Sequence, residues 1–355
     1  MIYQSRQWIN DLNLVLKYHP EISELKGCAV MITGAAGLVC SAVTDLLILY
    51  NETREDKIQI YAAGRWPSEM ESRFGEYYKR DYFHFVEYDA SKADNPAFPA
   101  VDYVIHGASN ASPDIISKEP VETMLSNIVG LEQLLKYARN SGVKRLLYIS
   151  SSEVYGIKDK KEPFAEADYG YIDLLKPRNS YSVAKRAAET LCSSYADEYG
   201  VDTVIVRPGH IYGPTASPYD QRVSSAFAYA SARGEALIMK SPGTQLRSYC
   251  YCLDCASAIL KVLLHGEVNE AYNISNPESI ITIRELAELL AAAGKVEICM
   301  ELASEMEKKR FNPMDNSSLD SRKLENLGWK GLFSAERGLG HTVAILKELI
   351  SYGSL

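Results

Sequence analysis

The chain has 355 residues, 46% of them hydrophobic and 24% charged, with a formal net charge of −8. That mix belongs to a globular chain and excludes a disordered one. The acidic balance excludes a basic stripe for nucleic acid but leaves local anion sites open, and no stretch approaches the roughly 18 apolar residues of a membrane helix.

The start, MIYQSRQWINDLN, lacks the apolar core of a signal peptide. The seven cysteines, at 28, 40, 192, 250, 252, 255 and 299, are odd in number and scattered. Such a set reads as free thiols in the cytoplasm rather than as a disulfide framework. Cys250, Cys252 and Cys255 form a C-x-C-x-x-C cluster. No fourth ligand follows at a matching spacing, and structural zinc takes four, so no metal site is expected. The run RSYCYCLDCASAIL reads instead as a strand entering a helix.

Residues 1–25 precede the first clear strand. Trp8, Ile9, Leu12, Val15 and Leu16 recur near helical spacing, and His19-Pro20 ends that helix. The expectation is a surface helix docked on the body. From residue 28, CAVMIT, KIQIYAA, FHFVEYD, DYVIHGA, KRLLYISS and VDTVIVRP read as strands. Helical segments at 38–50, 121–140 and 181–199 separate them. This alternation implies a parallel sheet covered on both faces, with ligands at the carboxyl ends of the strands. After about residue 207, Pro208, Gly209, Gly213, Pro214 and Pro218 cluster as loops do. Helices follow at 222–233, 254–265 and 282–293, and EAYNIS (270–275) reads as a returning strand.

The first strand ends in Thr33-Gly34-Ala35-Ala36-Gly37-Leu38-Val39-Cys40, where a helix begins. Glycines there admit a tight turn, and the helix amino terminus offers N–H groups and a dipole to a pyrophosphate. The third glycine of the usual pattern is Cys40, small enough to keep the packing. The second strand ends Ala62-Ala63-Gly64-Arg65, without the acid that binds ribose hydroxyls. Arg65 suits a ribose phosphate, which leaves NADP open beside NAD. Asp89 ends the third strand, placed to accept from an adenine amino group.

Tyr181-Ser182-Val183-Ala184-Lys185 opens a helix, and a spacing of four puts Tyr181 and Lys185 on one face. An ammonium beside a phenol favours phenolate and suits it to general-base work. Ser150-Ser151-Ser152-Glu153 ends a preceding strand, where a hydroxyl can share the substrate proton.

In order along the chain stand T-G-x-x-G, H-G-A-S (106–109), S-S-E-V-Y-G (151–156), Y-x-x-x-K (181–185) and R-P-G-H-I-Y-G-P (207–214). Over about residues 25–345 the chain resembles the extended short-chain dehydrogenases/reductases, the nucleotide-sugar epimerases, dehydratases and decarboxylases. The resemblance implies an α/β Rossmann-type doubly wound parallel sheet with a smaller interleaved C-terminal substrate lobe. The boundaries expected are 1–25 for the helical extension and 26–207 for the dinucleotide domain, with 240–275 returning to it. The substrate lobe is expected at 208–239 and 276–355.

The resemblance also implies roles. Tyr181 takes a proton from a sugar hydroxyl at carbon 4, Ser151 assists, and Lys185 holds the nicotinamide ribose. NAD accepts the hydride, giving a transient 4-keto sugar. Gly34, Gly37, Leu38, Val39, Arg65, Asp89, Ala90, Gly107, Ala108, Ser109, Asn127, Tyr181, Lys185, Pro208 and Gly209 are the implied cofactor residues. Ser112, Arg178, His210, Arg222 and Arg247 are the implied substrate residues.

Glu153 selects among the reactions. Simple 4-epimerases have a small or neutral residue there, while 4,6-dehydratases and uronate decarboxylases carry the acid. Ser152 stands where the dehydratases of the TDP-glucose type have aspartate. Ala108–Pro113, Lys176-Pro177-Arg178, Asp220–Ser224 and Gln245–Tyr249 are similar to UDP-glucuronate decarboxylases, which makes that reaction the first expectation. The departures are His210 for a substrate-binding asparagine, Thr215 for the arginine of G-P-R, and the missing acid after the second strand. The rivals are epimerase, dehydratase, a carbonyl reductase with exchanging NADPH, and a non-catalytic NADP-binding redox sensor. The presence of both Tyr181 and Lys185 counts against the sensor. The family commonly pairs as homodimers through the helices at 121–140 and 181–199.

Overall fold

The structure is a computed structural model and describes residues 1–158, 162–304 and 314–353. The strands begin with β1 (Ala29–Thr33), β2 (Gln59–Gly64), β3 (Phe83–Glu87), β4 (Tyr103–His106), β5 (Arg145–Ile149) and β6 (Thr203–Pro208). They continue with β7 (His210–Tyr212), β8 (Leu237–Met239), β9 (Leu246–Tyr251), β10 (Ala271–Ile274), β11 (Ile280–Thr282), β12 (Ile298–Met300) and β13 (Asn316–Ser317). Seven of these form one sheet in the order β10-β6-β5-β4-β1-β2-β3. Every pair in it is parallel. The order reverses between β1 and β4, so a crevice opens beyond their carboxyl ends. Thr33 pairs with His106 at that point.

The strands read as continuous apolar runs because both faces are buried. Val30 and Ile32 belong to one core and Met31 to the other. Helices α1 (Arg6–Tyr18), α2 (Leu38–Thr53), α3 (Pro67–Phe74), α4 (Pro113–Lys118), α5 (Pro120–Ser141) and α6 (Ser180–Tyr199) are followed by α7 (Val223–Arg233), α8 (Cys252–His265) and α9 (Ile283–Gly294). Helices α2 and α8 pack together over one face, and α5 and α6 over the other.

A smaller sheet is centred on β9. Strand β11 lies antiparallel to its first half, β13 pairs parallel with that half, and β7 pairs parallel with its second half. Helices α7, α9 and Ala335–Ser351 pack around it. Thus β9 sits in the small sheet, while α8 and β10, which follow it, return to the large one.

Helix α1 starts behind Ser5, whose hydroxyl accepts from the Trp8 N–H, and it stops at His19 before Pro20. Trp8, Leu12 and Val15 are fully buried. Asp11, also buried, accepts from Gln7 Nε2 at 2.8 Å and Tyr251 Oη at 3.1 Å, and contacts His341 Nδ1 at 3.0 Å. Tyr3 donates to Asp45 on α2, which also takes Arg73 at 2.6 Å. The extension is therefore docked by both core packing and buried polar bonds.

Candidate functional site

The turn from β1 into α2 is built on one backbone conformation. Gly34 has φ +69°, and a Cβ there would stand 3.0 Å from the Ala108 backbone. L-residues avoid this region by about 1–2 kcal/mol. Gly34→Ala is therefore expected to lower stability by about that amount or more, read as a fall in the thermal midpoint. Gly37 caps α2 with no side-chain bond to the first turn, leaving those N–H groups free for an anion.

Cys40 explains its own place. A Cβ on Gly107 would stand 2.3 Å from the Cys40 Sγ. The thiol thus fills the space left by Gly107, and the helix still sits close to the strand. Thr33 joins the two halves: its Oγ1 lies 2.7 Å from His106 Nδ1 and accepts from the Gly107 and Ala108 N–H groups at 3.2 Å. Sequence reading missed this residue, although it pairs with His106 in register.

Leu38 and Val39 open α2, and the Leu38 carbonyl accepts from Thr215 Oγ1 at 2.8 Å. Thr215 therefore ties the loop after β7 to the first turn of α2. Arg65 is exposed just past β2. Asp89 accepts from Ser91 N and Oγ at 3.0 and 2.7 Å. Burial pushes its carboxyl up, but the Ser91 bonds and the Arg65 and Lys92 charges bring it below the usual range. Ala90 is buried beside Gly130. Ser109 donates to Asn127 Oδ1 at 3.0 Å, and Asn127 Nδ2 donates to Thr123 O at 2.7 Å. Pro208 ends β6, and Gly209 N donates to Ile274 O at 3.1 Å.

Ser151, Glu153, Tyr181 and Lys185 converge where β5 meets the start of α6. Ser151 caps the short helical turn Ser152–Tyr155 by accepting from the Glu153 N–H. Arg186 fixes this turn from α6, donating to the Val154, Tyr155 and Gly170 carbonyls. The Glu153 carboxylate accepts from Ser182 Oγ at 2.9 Å and meets the Arg178 guanidinium at 3.4 Å. Ser182 was not singled out from sequence. Its signal was only its place beside Tyr181.

The Tyr–Lys relation differs from the expectation. Burial, then the Glu153 charge, pushes the Tyr181 hydroxyl up to about 12, with Ser151, Arg222 and Arg178 working the other way. The Lys185 ammonium donates to Ile149 O at 2.8 Å and lies 5.6 Å from the Tyr181 ring centre. Burial lowers Lys185 to about 7, against the Glu189 charge. The free amine titrates near 10.5. Between those values the unfolded chain binds more protons than the folded one, so stability rises with pH across this window. The denaturant midpoint of the ligand-free protein should climb from about pH 7 towards 10, and Lys185→Met should flatten that climb.

His210 and Arg247 lie on neighbouring strands: His210 aligns with Tyr249, two residues beyond Arg247. The two rings are 5.6 Å apart. Burial, then Arg247 and Arg222, lowers His210 to about 3, so the ring is neutral. Its Nδ1 is buried without a partner among the described residues. Arg247 is 3% exposed and donates to the Leu246 and Asp315 carbonyls at 2.9 and 3.4 Å. Burial lowers the guanidinium, and the Tyr249 and Asp315 charges work the other way. Arg222 is instead closed on Asp220, with bonds of 2.5–3.0 Å. Ser112 lies apart from these groups in the contacts seen, as the cap residue of α4.

Cys250, Cys252 and Cys255 are fully buried as free thiols where β9 enters α8. Among the described residues, no three His, Cys, Asp or Glu side chains form a metal-binding group. No helix among them is long and apolar enough to cross a membrane.

Relatives fit this arrangement. UDP-glucuronic acid decarboxylase 6 of Arabidopsis thaliana is 30% identical over 310 residues, 87% of this chain and 86% of that one. UDP-glucuronic acid decarboxylase 1 of Xenopus tropicalis is 28% identical over 342 residues, 95% of this chain and 76% of that one. The crystal structure of UDP-glucose 4-epimerase from Thermotoga maritima with UDP-glucose superposes with a TM-score of 0.76. It is 25% identical and covers 91% of this chain and 99% of that one. The description of the NAD dependent epimerase/dehydratase family matches residues 30–275, and the chain belongs to that family.

Proposed function

We propose that the protein is an NAD-dependent nucleotide-sugar enzyme that decarboxylates a UDP-glucuronate-like substrate. The observation that carries this is a carboxylate and a guanidinium, Glu153 and Arg178, held together beside Tyr181. A 4-epimerase of a neutral sugar needs no acid at this place, whereas the dehydratases and decarboxylases that the chain resembles carry one. Two relatives named as UDP-glucuronic acid decarboxylases support the same reading.

The residues fit the dinucleotide. The first-turn N–H groups of α2 are open, Gly34 brings the turn against Ala108 with no room for a side chain, and Lys185 makes a single hydrogen bond, to Ile149 O, among the described residues. Gly34, Gly37, Leu38 and Val39 would hold the pyrophosphate, and Asp89, Ala90 and Arg65 would face the adenosine. Gly107, Ala108, Ser109, Asn127, Lys185, Pro208 and Gly209 would line the nicotinamide half. NAD supplies a reversible acceptor for the hydride at carbon 4. NAD-bound solved relatives support this choice. Tyr181 takes the carbon 4 hydroxyl proton, and Ser151 shares it. Glu153 holds or gives a proton at carbon 5. Arg247, Arg222 and His210 serve the diphosphate end, where a neutral imidazole can donate to an anion, and Ser112, at the cap of α4, serves another part of the substrate.

Incubation with UDP-glucuronate, UDP-glucose and UDP-N-acetylglucosamine, followed by mass spectrometry, tests the reading. The expected result is loss of carbon dioxide from UDP-glucuronate alone. Turnover of the neutral sugars and not of the uronate would make it an epimerase or dehydratase. Mass analysis of the denatured protein for a dinucleotide decides NAD against NADP.

We further place the protein in the cytoplasm as a homodimer through α5 and α6. Seven free thiols support the first. Val121 and Leu125, 61% and 50% exposed on α5, support the second. We keep the proposed division into a dinucleotide domain and a substrate lobe, with β9 counted in the small sheet rather than with the segment that returns to the large one.

A further inference from the structure

We infer that Arg207 is a positioning residue for the acid-base groups: through Glu189 and Tyr155 it fixes the turn bearing Ser151 and Glu153 against the helix bearing Tyr181. This rests on the reading of those three as the reacting groups, and not on which sugar they act on. Arg207 lies in β6 and is 2% exposed. A charge at that depth needs its donors matched. Among the described residues its guanidinium makes four bonds. Nε and Nη2 take the two Glu189 oxygens at 2.9 and 2.7 Å. Nη1 donates to Tyr155 Oη at 3.1 Å and to the Glu166 carbonyl at 2.8 Å.

Both side chains on this fork belong to the frame of the site. Glu189 stands on α6 four residues past Lys185, which stands four past Tyr181, so the three share one helical face. Tyr155 ends the short turn that carries Glu153 and that Ser151 caps. One planar group therefore spans from the tyrosine helix to the turn. A fork of this kind fixes direction as well as distance.

The far end of the link is held as well. Tyr155 is fully buried, its hydroxyl donates to Asn273 Oδ1 at 2.5 Å, and its ring stacks on Phe164 with centres 5.1 Å apart. Asn273 pairs with Arg207 in register between β10 and β6. Its amide donates to the Phe164 and Asp320 carbonyls at 2.9 and 3.0 Å. Arg186 grips the same turn by the Val154 and Tyr155 backbone carbonyls. A change confined to the Tyr155 hydroxyl therefore loosens the turn without releasing it.

Tyr155→Phe makes that change: it removes one oxygen, keeps the ring and leaves the Arg207–Glu189 pair closed. Steady-state kinetics on the purified full chain, with the nucleotide sugar that the wild type turns over, test it beside hydrogen exchange of the ligand-free protein. The kcat is expected to fall by about 10- to 100-fold, as misplaced reacting groups do. Affinity for UDP, read by calorimetry, is expected to hold. Amide exchange at residues 151–156 should quicken by about tenfold or more while α6 keeps its protection. Arg207→Lys keeps a charge beside Glu189 but lacks the fork, so it should lose kcat in the same way. The double variant should fall no further than about twofold below Tyr155→Phe, because both break one link. The inference is overturned if Tyr155→Phe melts lower yet keeps wild-type kcat well below its melting temperature. It is equally overturned if exchange at 151–156 is unchanged, or if UDP affinity falls in parallel with kcat. Turnover of UDP-glucose in place of UDP-glucuronate by the wild type would sink the proposed reaction, and the same measurements on that sugar would still decide this inference.

Discussion

Tyr181→Phe is expected to remove about 10²- to 10⁴-fold of kcat, the usual worth of a positioned acid-base group. The residue sits in the first turn of α6, 7% exposed. Its ring lies 5.6 Å from the Lys185 ammonium. The substitution removes one hydroxyl and keeps the ring, so packing is conserved and the melting temperature should stay with the wild type. Burial and Glu153 hold the hydroxyl protonated, at about 12, in the ligand-free protein. Loss of kcat with an unchanged KM marks a group that acts in the transition state. A variant that keeps more than about a tenth of wild-type kcat would show that Tyr181 is not the acid-base group.

Asp254→Ala is expected to cost about 3–5 kcal/mol of stability, the largest effect foreseen away from the site. Asp254 lies fully buried in the first turn of α8. Its carboxyl accepts from the Leu332 and Phe333 N–H groups at 2.8 and 3.1 Å, and from Asn276 Nδ2 at 3.1 Å. These bonds pin the C-terminal segment onto the helix that links the two sheets. Alanine leaves these donors without that acceptor. Burial raises the carboxyl to about 6, with those donors opposing it. The folded chain thus binds more protons than the unfolded one between about pH 4 and 6, and this group's contribution falls as pH rises through that window. Denaturant unfolding of Asp254→Ala against wild type checks the size, and Asp254→Asn, which keeps one acceptor oxygen, should lose less. A shift below about 1 kcal/mol would mean the donors find new partners.

Local pattern carried far in this chain. The apolar runs became the parallel strands β1 to β6 because each is short and bounded by turn residues. The expected helices at 38–50, 121–140, 181–199, 222–233, 254–265 and 282–293 match observed ones to within a few residues. Strands β7, β8, β11, β12 and β13 were not legible, because two or three residues cannot display a period. Their pairing with β9 and β8 depends on partners far along the chain. At the site, Tyr181 and Lys185 were legible from a helical spacing. Ser182, Thr33 and Arg186 were not, because a hydroxyl or guanidinium takes its role from what the fold brings opposite it.

What the sequence determined by itself was the alternation of strand and helix, the glycine turn at 34–37, and the one-turn spacing of Tyr181 and Lys185. These follow from backbone sterics and helical period, which neighbours along the chain suffice to express. The tertiary structure decided where charge goes. It turned Lys185 onto the Ile149 carbonyl, closed Arg222 on Asp220, buried Arg247 against backbone carbonyls, and set Arg178 loosely against Glu153. A net charge of −8 cannot foretell this. Electrostatic energy depends on distance and burial, and both are fixed only when distant segments meet.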